Sequence, residues 1–384
     1  MNFANSFDLK TVILHITPGL ITGGAERALV RLIQSSDKNR FKHRVVSLTD
    51  QGTQGAELEK AGVIVDVLRI SGVYSAFKGI LKLRKITRSV KPDVIHSWMY
   101  HGGLFALLAP RGSKRILGIR QALHDQSKDK TTTRFIIKLL ALFSKRFNVI
   151  TYNSHTSKLQ HETRGYSPKN ALVIHNGFDL TELYPNKEAG RKLRKAAGIS
   201  DDVFVFGNIS RHHPIKNHIG LLQAFSDVYH NAKNVFLLMA GPGIDSSNRH
   251  LTEIIKSQQL QNNVLLMGET NDVLPSLNAC DVYVSSSFSE AFPNTIGEAM
   301  ACGVPCIATD VGDCSYIIGK AGLIIPVNDH KALVNAMTKL FESTEKERKQ
   351  LGVMALQRIQ ENFQIASMTQ SYEELYTSLA TKKR

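Results

Sequence analysis

Glu290 and Glu298 stand with seven residues between them in the stretch SEAFPNTIGEAMACGVPCIATD, which is otherwise small and apolar. A carboxylate removed from water without a partner is costly, so the pair either lies on a wet surface turn or holds something. A strand expected over 281–285 runs into the loop that carries Glu290. A helix is expected to start with Asn294 as its N-cap and to carry Glu298 about one turn in. The amides of Phe292, Pro293, Asn294 and Thr295 would point outward between the two acids. Two acceptors suited to sugar hydroxyls, beside a donor-rich helix start suited to phosphate, describe a site for a sugar phosphate. Helix capping by both acids is the competing account. It explains Glu298 poorly, because that residue lies past the first turn.

A second group sits in GNISRHHPIK, after the expected strand 203–209. Arg211 and Lys216 flank a loop where a diphosphate would fit, and an arginine can engage phosphate oxygens with two donors at once. A solvated cationic surface is the plain alternative. His212 and His213 are neighbours in sequence, and adjacent histidines seldom aim at one ion, so they read as loop residues ahead of metal ligands. A third group is ITGGAE, where Gly23 and Gly24 occupy a strand-to-helix turn. Glycines there let backbone amides approach an anion at the helix N-terminus. A tight turn without a ligand is the alternative.

The elements that must position these residues alternate along nearly the whole chain. Strands are expected over 11–17, 43–48, 63–68, 93–97, 115–120, 149–153 and 171–175, with helices over 25–36, 75–90, 101–109, 133–146 and 154–163. The second half repeats the rhythm with strands at 203–209, 235–240, 263–267, 281–285, 305–309 and 322–325. Strands interleaved with helices imply parallel sheets covered on both faces. The fold class is therefore α/β, with two Rossmann-like, doubly wound domains facing across a cleft. A chain of 384 residues exceeds one comfortable core. The segment HNGFDLTELYP, 175–185, is the expected join, giving an N-terminal domain over 1–183 and a C-terminal domain over 184–362. A last helix, within 363–384, is expected to return to the N-terminal domain. Ligands of such sheets bind at the carboxyl ends of strands, which is where the three groups above fall.

The net charge of +15 is lopsided. Residues 1–183 hold 28 Lys and Arg against 13 Asp and Glu, whereas 184–384 hold 20 of each. A basic half attracts an anionic partner. Lys78, Lys82 and Lys85 recur at helical spacing beside Arg84 and Arg88, and Arg134, Lys138 and Lys145 stud the apolar helix 133–146. That helix resembles one lying on an anionic membrane surface; a core-facing helix with snorkelling lysines is the alternative. No aromatic-basic motif points to nucleic acid. The four cysteines show no metal-ligand spacing and read as reduced thiols. No signal peptide is expected, and the apolar run 135–143 is too short to span a bilayer.

Taken together, the motifs resemble glycosyltransferase family 4, a large family of retaining enzymes with the two-Rossmann GT-B fold. The segment from Glu290 to Glu298 resembles its E-x7-E motif, Gly23-Gly24-Ala25-Glu26 its N-terminal glycine loop, and Ser210-Arg211 through Lys216-Asn217 its phosphate-binding loop. His175-Asn176-Gly177-Phe178-Asp179 and Ala240-Gly241-Pro242-Gly243 match further family segments in the same order. Ala291 departs from the glycine common at that place, a mild change unless φ there is positive.

The resemblance implies roles. Arg211 and Lys216 would neutralise the donor diphosphate, Glu298 would hold the ribose hydroxyls, Glu290 would contact the donor sugar, and Gly23 and Gly24 would line the cleft opposite. Fixed cations at a departing diphosphate lower the barrier. With no D-x-D in the sequence, no metal is expected, and no cofactor beyond the nucleotide-diphosphate sugar itself, a UDP-sugar being favoured. The family histidine near the donor sugar has two candidates, Arg120 and His124. The implied reaction moves a sugar to a saccharide acceptor, lipid-linked, in surface polysaccharide or O-antigen synthesis. The enzyme would be cytoplasmic and peripheral at the inner face of the membrane. Two other readings stand beside it: a sugar-nucleotide epimerase of the same fold, and a non-enzymatic anion-binding protein.

Overall fold

Runs such as TVILHIT are rich in β-branched and apolar residues, as befits strands covered on both faces. The computed structural model describes residues 10–21, 23–123, 131–270 and 272–381, and divides the chain into two units, Met1–Gly177 with Ile365–Arg384, and Phe178–Gln364. The first unit contains strands β1 (Thr11–Thr17), β2 (Phe41–Ser47), β3 (Ile64–Val67), β4 (Val94–Trp98), β5 (Lys114–Ile119), β6 (Val149–Tyr152) and β7 (Ala171–Val173). Between them run helices α1 (Gly24–Ser35), α2 (Gly52–Lys60), α3 (Val73–Val90), α4 (Met99–Leu108), α5 (Thr131–Phe143) and α6 (His155–Glu162).

The second unit holds β8 (Phe204–Ile209), β9 (Val235–Ala240), β10 (Val264–Leu266), β11 (Val282–Ser285), β12 (Cys306–Thr309) and β13 (Gly322–Ile325). Its helices are α7 (Lys187–Ala196), α8 (His218–Asn231), α9 (Arg249–Ser257), α10 (Leu274–Asn278), α11 (Asn294–Ala301), α12 (Cys314–Ile318), α13 (His330–Glu342) and α14 (Glu345–Asn362). The chain then ends in α15 (Ile365–Thr381), which belongs to the first unit.

Among the described residues, one sheet runs β3-β2-β1-β4-β5-β6-β7 and the other β10-β9-β8-β11-β12-β13, with parallel pairing throughout. Each sheet is sandwiched between two apolar layers. In the first unit, Leu83 and Ile86 of α3, Phe105 of α4 and Ile137 and Leu140 of α5 fill one side. Leu29 and Ile33 of α1, Leu58 of α2 and Tyr372 and Tyr376 of α15 fill the other. In the second unit, α8, α9 and α13 cover one face and α11, α12 and α14 the opposite one. No helix among the described residues is long and apolar enough to cross a membrane.

Beneath α15 lies a feature that strand periodicity alone does not announce. His15, His43 and His96 come from β1, β2 and β4 and, with Trp98, point to one face. Trp98 Nε1, which can only donate, lies 3.2 Å from His15 Nδ1. That fixes the neutral His15 tautomer with its proton on Nε2, which reaches His43 Nδ1 at 2.9 Å. His96 Nδ1 meets the Tyr376 hydroxyl at 2.8 Å. Burial lowers the pKa of His15 and His96 well below the ordinary value; at His15 the nearby His43 and His96 oppose a further charge, and at His96 the Arg120 guanidinium does so first. Burial takes His43 down to about 4.

A histidine whose pKa falls on folding binds its proton more readily in the unfolded chain. Stability is then complete above pH 6.5 and is lost as pH falls toward the folded value. For His43 the window runs from 6.5 to about 4, and the loss amounts to about 3 kcal/mol at its lower end. Urea unfolding across this range should show the loss, and His43→Gln, which keeps an acceptor for His15, should flatten the slope. An unchanged slope in that variant would remove His43 as the cause.

Candidate active site

In the second sheet the chain builds outward from β8 through β9 to β10, then returns to the other side of β8 with β11. The loop after β8 leads to α8 on one face, and the loop after β11 leads to α11 on the opposite face. Loops that diverge in this way leave a crevice at the carboxyl ends of the two strands. Arg211 and Lys216 sit on the first loop, and Glu290 sits on the second.

The two loops are laced together. Phe288 N donates to Ile215 O at 2.7 Å. Ser286 Oγ lies 3.1 Å from Lys216 O and 3.0 Å from Asn217 O. Lys216 Nζ makes an ion pair with Glu290 Oε1 at 2.5 Å, with side chains 19% and 13% exposed. Ser287 Oγ donates to the same carboxylate oxygen at 2.7 Å, and Thr309 Oγ1 holds Ser287 O at 2.5 Å. Glu290 is thus a partnered, partly buried acid, and Lys216 already has a carboxylate on it. The sequence motifs imply separate tasks for these two residues; the fold brings them together. Arg211 lies exposed on the same loop.

Glycines shape the surroundings at two points. Gly241, after β9, has φ +136, and a Cβ there would meet Ser210 O at 2.3 Å, so only glycine lets this turn pack against the Arg211 loop. Gly312, at φ +56, approaches the carbonyls of Glu290 and Ala291 in the same manner. Ala291 itself is not among the non-glycine residues with positive φ, so it occupies the family glycine's place without backbone strain.

α11 starts one residue earlier than the sequence suggested. Pro293 is the flanking residue and Asn294 is already helical. Pro293 has no N–H, so the outward amides expected over 292–295 lack one member. The Phe292 ring is core, stacked 6.2 Å from Phe178 and edge-on to Phe363, so its side chain does not line the site. The Thr295 hydroxyl is 2.8 Å from Tyr283 Oη, which also donates to Ile209 O at the end of β8. Glu298 lies in the second turn of α11 and is 4% exposed. The two histidines of the Arg211 loop serve separate ends. His213 Nδ1 accepts from Ile215 N at 3.2 Å, and His212 stacks 5.8 Å from His218. Burial takes His218 down to about 4, helped by the nearby His212 and Lys216, and its Nε2 bonds Ser210 Oγ at 2.8 Å.

In the first unit the strand order reverses between β1 and β4, and Gly23 and Gly24 open α1 at that reversal. Gly23 is the N-cap in an extended conformation. A Cβ on it would meet Glu26 Oε2 at 2.4 Å, so the chain's own carboxylate covers this helix start. Arg120 follows β5. Its guanidinium donates to Tyr372 Oη at 3.2 Å and to Asn176 Oδ1, and it lies 5.1 Å from the Trp98 ring centre. The other candidate for the family histidine, His124, lies outside the described residues.

Sequence reading missed Ser286, Ser287 and Thr309, which hold the acidic loop in place, and Tyr283, which ties α11 to the end of β8. A run of three serines at the end of a buried strand was the available signal.

Two family models match the chain: "Glycosyltransferase Family 4" over residues 22–182 and "Glycosyl transferases group 1" over residues 200–343. The chain is 24% identical, over 97% of its length and 98% of the relative's, to the Escherichia coli UDP-Gal:alpha-D-GlcNAc-diphosphoundecaprenol alpha-1,3-galactosyltransferase. It is 23% identical, over 68% of its length and 70% of the relative's, to the Campylobacter jejuni N-acetylgalactosamine-N,N'-diacetylbacillosaminyl-diphospho-undecaprenol 4-alpha-N-acetylgalactosaminyltransferase. Its fold is similar to that of Anabaena Alr3699/HepE in complex with UDP and glucose, with TM-score 0.81 and 21% identity over 95% of this chain and 99% of that one.

A double-mutant cycle on Lys216→Met and Glu290→Gln tests the lacing. Each single change leaves a partly buried group without its partner, so each should destabilise the fold. The double variant should recover about 1–2 kcal/mol relative to the sum of the singles in urea unfolding. Strict additivity would show that the pair contributes nothing in solution.

Proposed function

The chain belongs to glycosyltransferase family 4 and is a glycosyltransferase; from that premise we propose that it transfers a hexose, with retention of anomeric configuration and without a metal, from a UDP-sugar to a lipid-linked saccharide in surface polysaccharide synthesis. The observation that carries the reading is the Lys216–Glu290 ion pair, through which a cationic loop after β8 and an acidic loop after β11 meet at the strand-order reversal. The acceptor assignment draws on the Escherichia coli and Campylobacter jejuni relatives, whose names specify undecaprenol-diphosphate acceptors. An enzyme acting on such an acceptor works as a peripheral protein at the cytoplasmic face of the membrane.

In this reading the bond from the anomeric carbon to the diphosphate oxygen breaks, and the departing diphosphate gathers negative charge. Arg211 and Lys216 supply fixed positive charge there, the task a divalent ion would otherwise perform. Two such cations and the absence of D-x-D support a metal-independent reaction. A diphosphate entering the crevice shares Lys216 with Glu290, so the acid is both a sugar contact and the group that holds the lysine in position beforehand. Glu298, buried on α11, is assigned to the ribose hydroxyls.

The two acids should fail differently. Glu298→Gln should raise the donor KM and the Kd of bare UDP together, because ribose takes no part in bond changes. Glu290→Gln should lower kcat while leaving UDP affinity unchanged or tighter, because it frees Lys216. Arg211→Ala and Lys216→Ala should each cost about 2–4 kcal/mol in kcat/KM. Calorimetry with UDP beside steady-state kinetics separates these cases, and equal loss of UDP affinity in both glutamate variants would overturn the division of labour.

Activity should persist in EDTA, and NMR of the product should show the donor's anomeric configuration. Loss of activity restored by Mg²⁺ would sink metal independence. Inverted product would sink the retaining assignment. Isomerisation of the donor with no acceptor present would replace the transferase by an epimerase.

A further inference from the structure

Among the helices of the first unit, positive charge is sorted by face. Helices α3, α4 and α5 pack on one side of the sheet and carry seven Lys and Arg with no Asp or Glu. Helices α1, α2 and α15, on the other side, carry five Asp and Glu against three Lys and Arg. α6, joined to the first side by the Tyr100–His161 hydrogen bond, adds only Lys158, matched by Glu162 at 3.1 Å.

The basic side also leaves large apolar side chains in water. On α3, Val73, Tyr74, Phe77 and Leu81 fall on one helical stripe, and Tyr74 and Phe77 are 73% and 62% exposed. Arg84, Lys85 and Arg88 continue the same stripe through the last turns of the helix, all exposed. On α5, Phe135 and Leu142 lie exposed two turns apart with Lys138 between them. Aromatic and aliphatic groups set among cations are what an anionic lipid surface binds. The apolar groups enter the headgroup–acyl boundary while lysine and arginine pair with lipid phosphate. A second copy of the chain is disfavoured by charge, because this face would meet its own sign.

We propose that the outer face of α3, continued by α5, is the surface by which this protein lies on an anionic bilayer, with Tyr74, Phe77 and Leu81 inserted and Lys78, Arg84, Lys85 and Arg88 on the headgroups. The proposal rests on the lipid-linked acceptor reading above and adds which face of which unit meets the lipid. It also shifts emphasis from the apolar helix expected at 133–146. α5 ends at Phe143 and turns Ile136, Ile137 and Leu140 into the core, so it presents a narrower exposed face than α3.

The test is flotation of the full chain with vesicles of phosphatidylglycerol and phosphatidylethanolamine in equal parts, and with pure phosphatidylcholine. Binding to the anionic vesicles should exceed binding to phosphatidylcholine by about ten-fold or more, and should weaken with salt. Phe77→Ser with Leu81→Ser, and separately Lys78→Glu with Lys85→Glu, should each lower the bound fraction by about ten-fold. Lys60→Glu, on α2 across the sheet, should leave binding intact. All these side chains but Leu81, about half exposed, lie well in the solvent, and matching Tm values check that the variants fold. Equal flotation of the wild type and both α3 variants overturns the proposal. So does a change in oligomeric state in place of lipid binding, or salt-sensitive retention on RNA with no flotation. Transfer to a short-chain, water-soluble acceptor is measured alongside. Its survival in the α3 variants, with transfer to vesicle-embedded acceptor reduced, supports the proposal. Its absence in the wild type counts against the transferase reading itself.

Discussion

A parallel sheet cannot be closed by hairpins, so each strand must return through a helix that covers one of its faces. When the order of strands reverses, as it does between β8 and β11, the two loops at the reversal leave for opposite faces and a crevice opens at the strand ends. The rest of the second unit follows from that constraint. β8 and β11 are neighbours through Val282 and Tyr283, which pair with Phe206 and Gly207, so residues 76 positions apart in the chain come within bonding distance. The Lys216–Glu290 pair exists because the topology brings those loops side by side.

The crevice is held by many small interactions. Buried serine and threonine hydroxyls satisfy backbone carbonyls of the facing loop, and Gly241 and Gly312 permit approaches that a Cβ would block. Preorganised charge in a partly dry setting is worth more than the same charge in water, because no reorganisation is needed as a charge develops beside it. The Glu290 carboxylate keeps the partly buried Lys216 ammonium from being unpaired.

The first unit carries a different burden. Its sheet supports a histidine–tryptophan–tyrosine layer under α15, in which His15 must remain neutral to accept from Trp98, and His43 neutral to accept from His15. The last helix is thereby joined to β4 by the His96–Tyr376 hydrogen bond as well as by packing through Leu375 and Leu379. Arg120 belongs to the same layer through Tyr372 and Trp98. The opposite face is where charge and exposed aromatics gather, so the two sides of one sheet serve separate ends.

Much of the fold could be read from the sequence, since period-2 and period-3.6 patterns are local. β1, β9 and β13 fall where the apolar runs put them. α2 escaped notice because Gly52 and Gly55 weaken the helical signal within its nine residues. The chemically active residue types and their spacing were also local facts: two acids with seven residues between them, and an arginine and a lysine after a strand. What the sequence could not decide was which of these meet. Whether Lys216 faces solvent or Glu290, whether Phe292 lines a site or fills the core, and whether seven cations share one face all depend on strand order and on which side each helix covers. Those are set by long-range packing, in which the free energy comes from burying many apolar groups at once. No short stretch of sequence contains that choice.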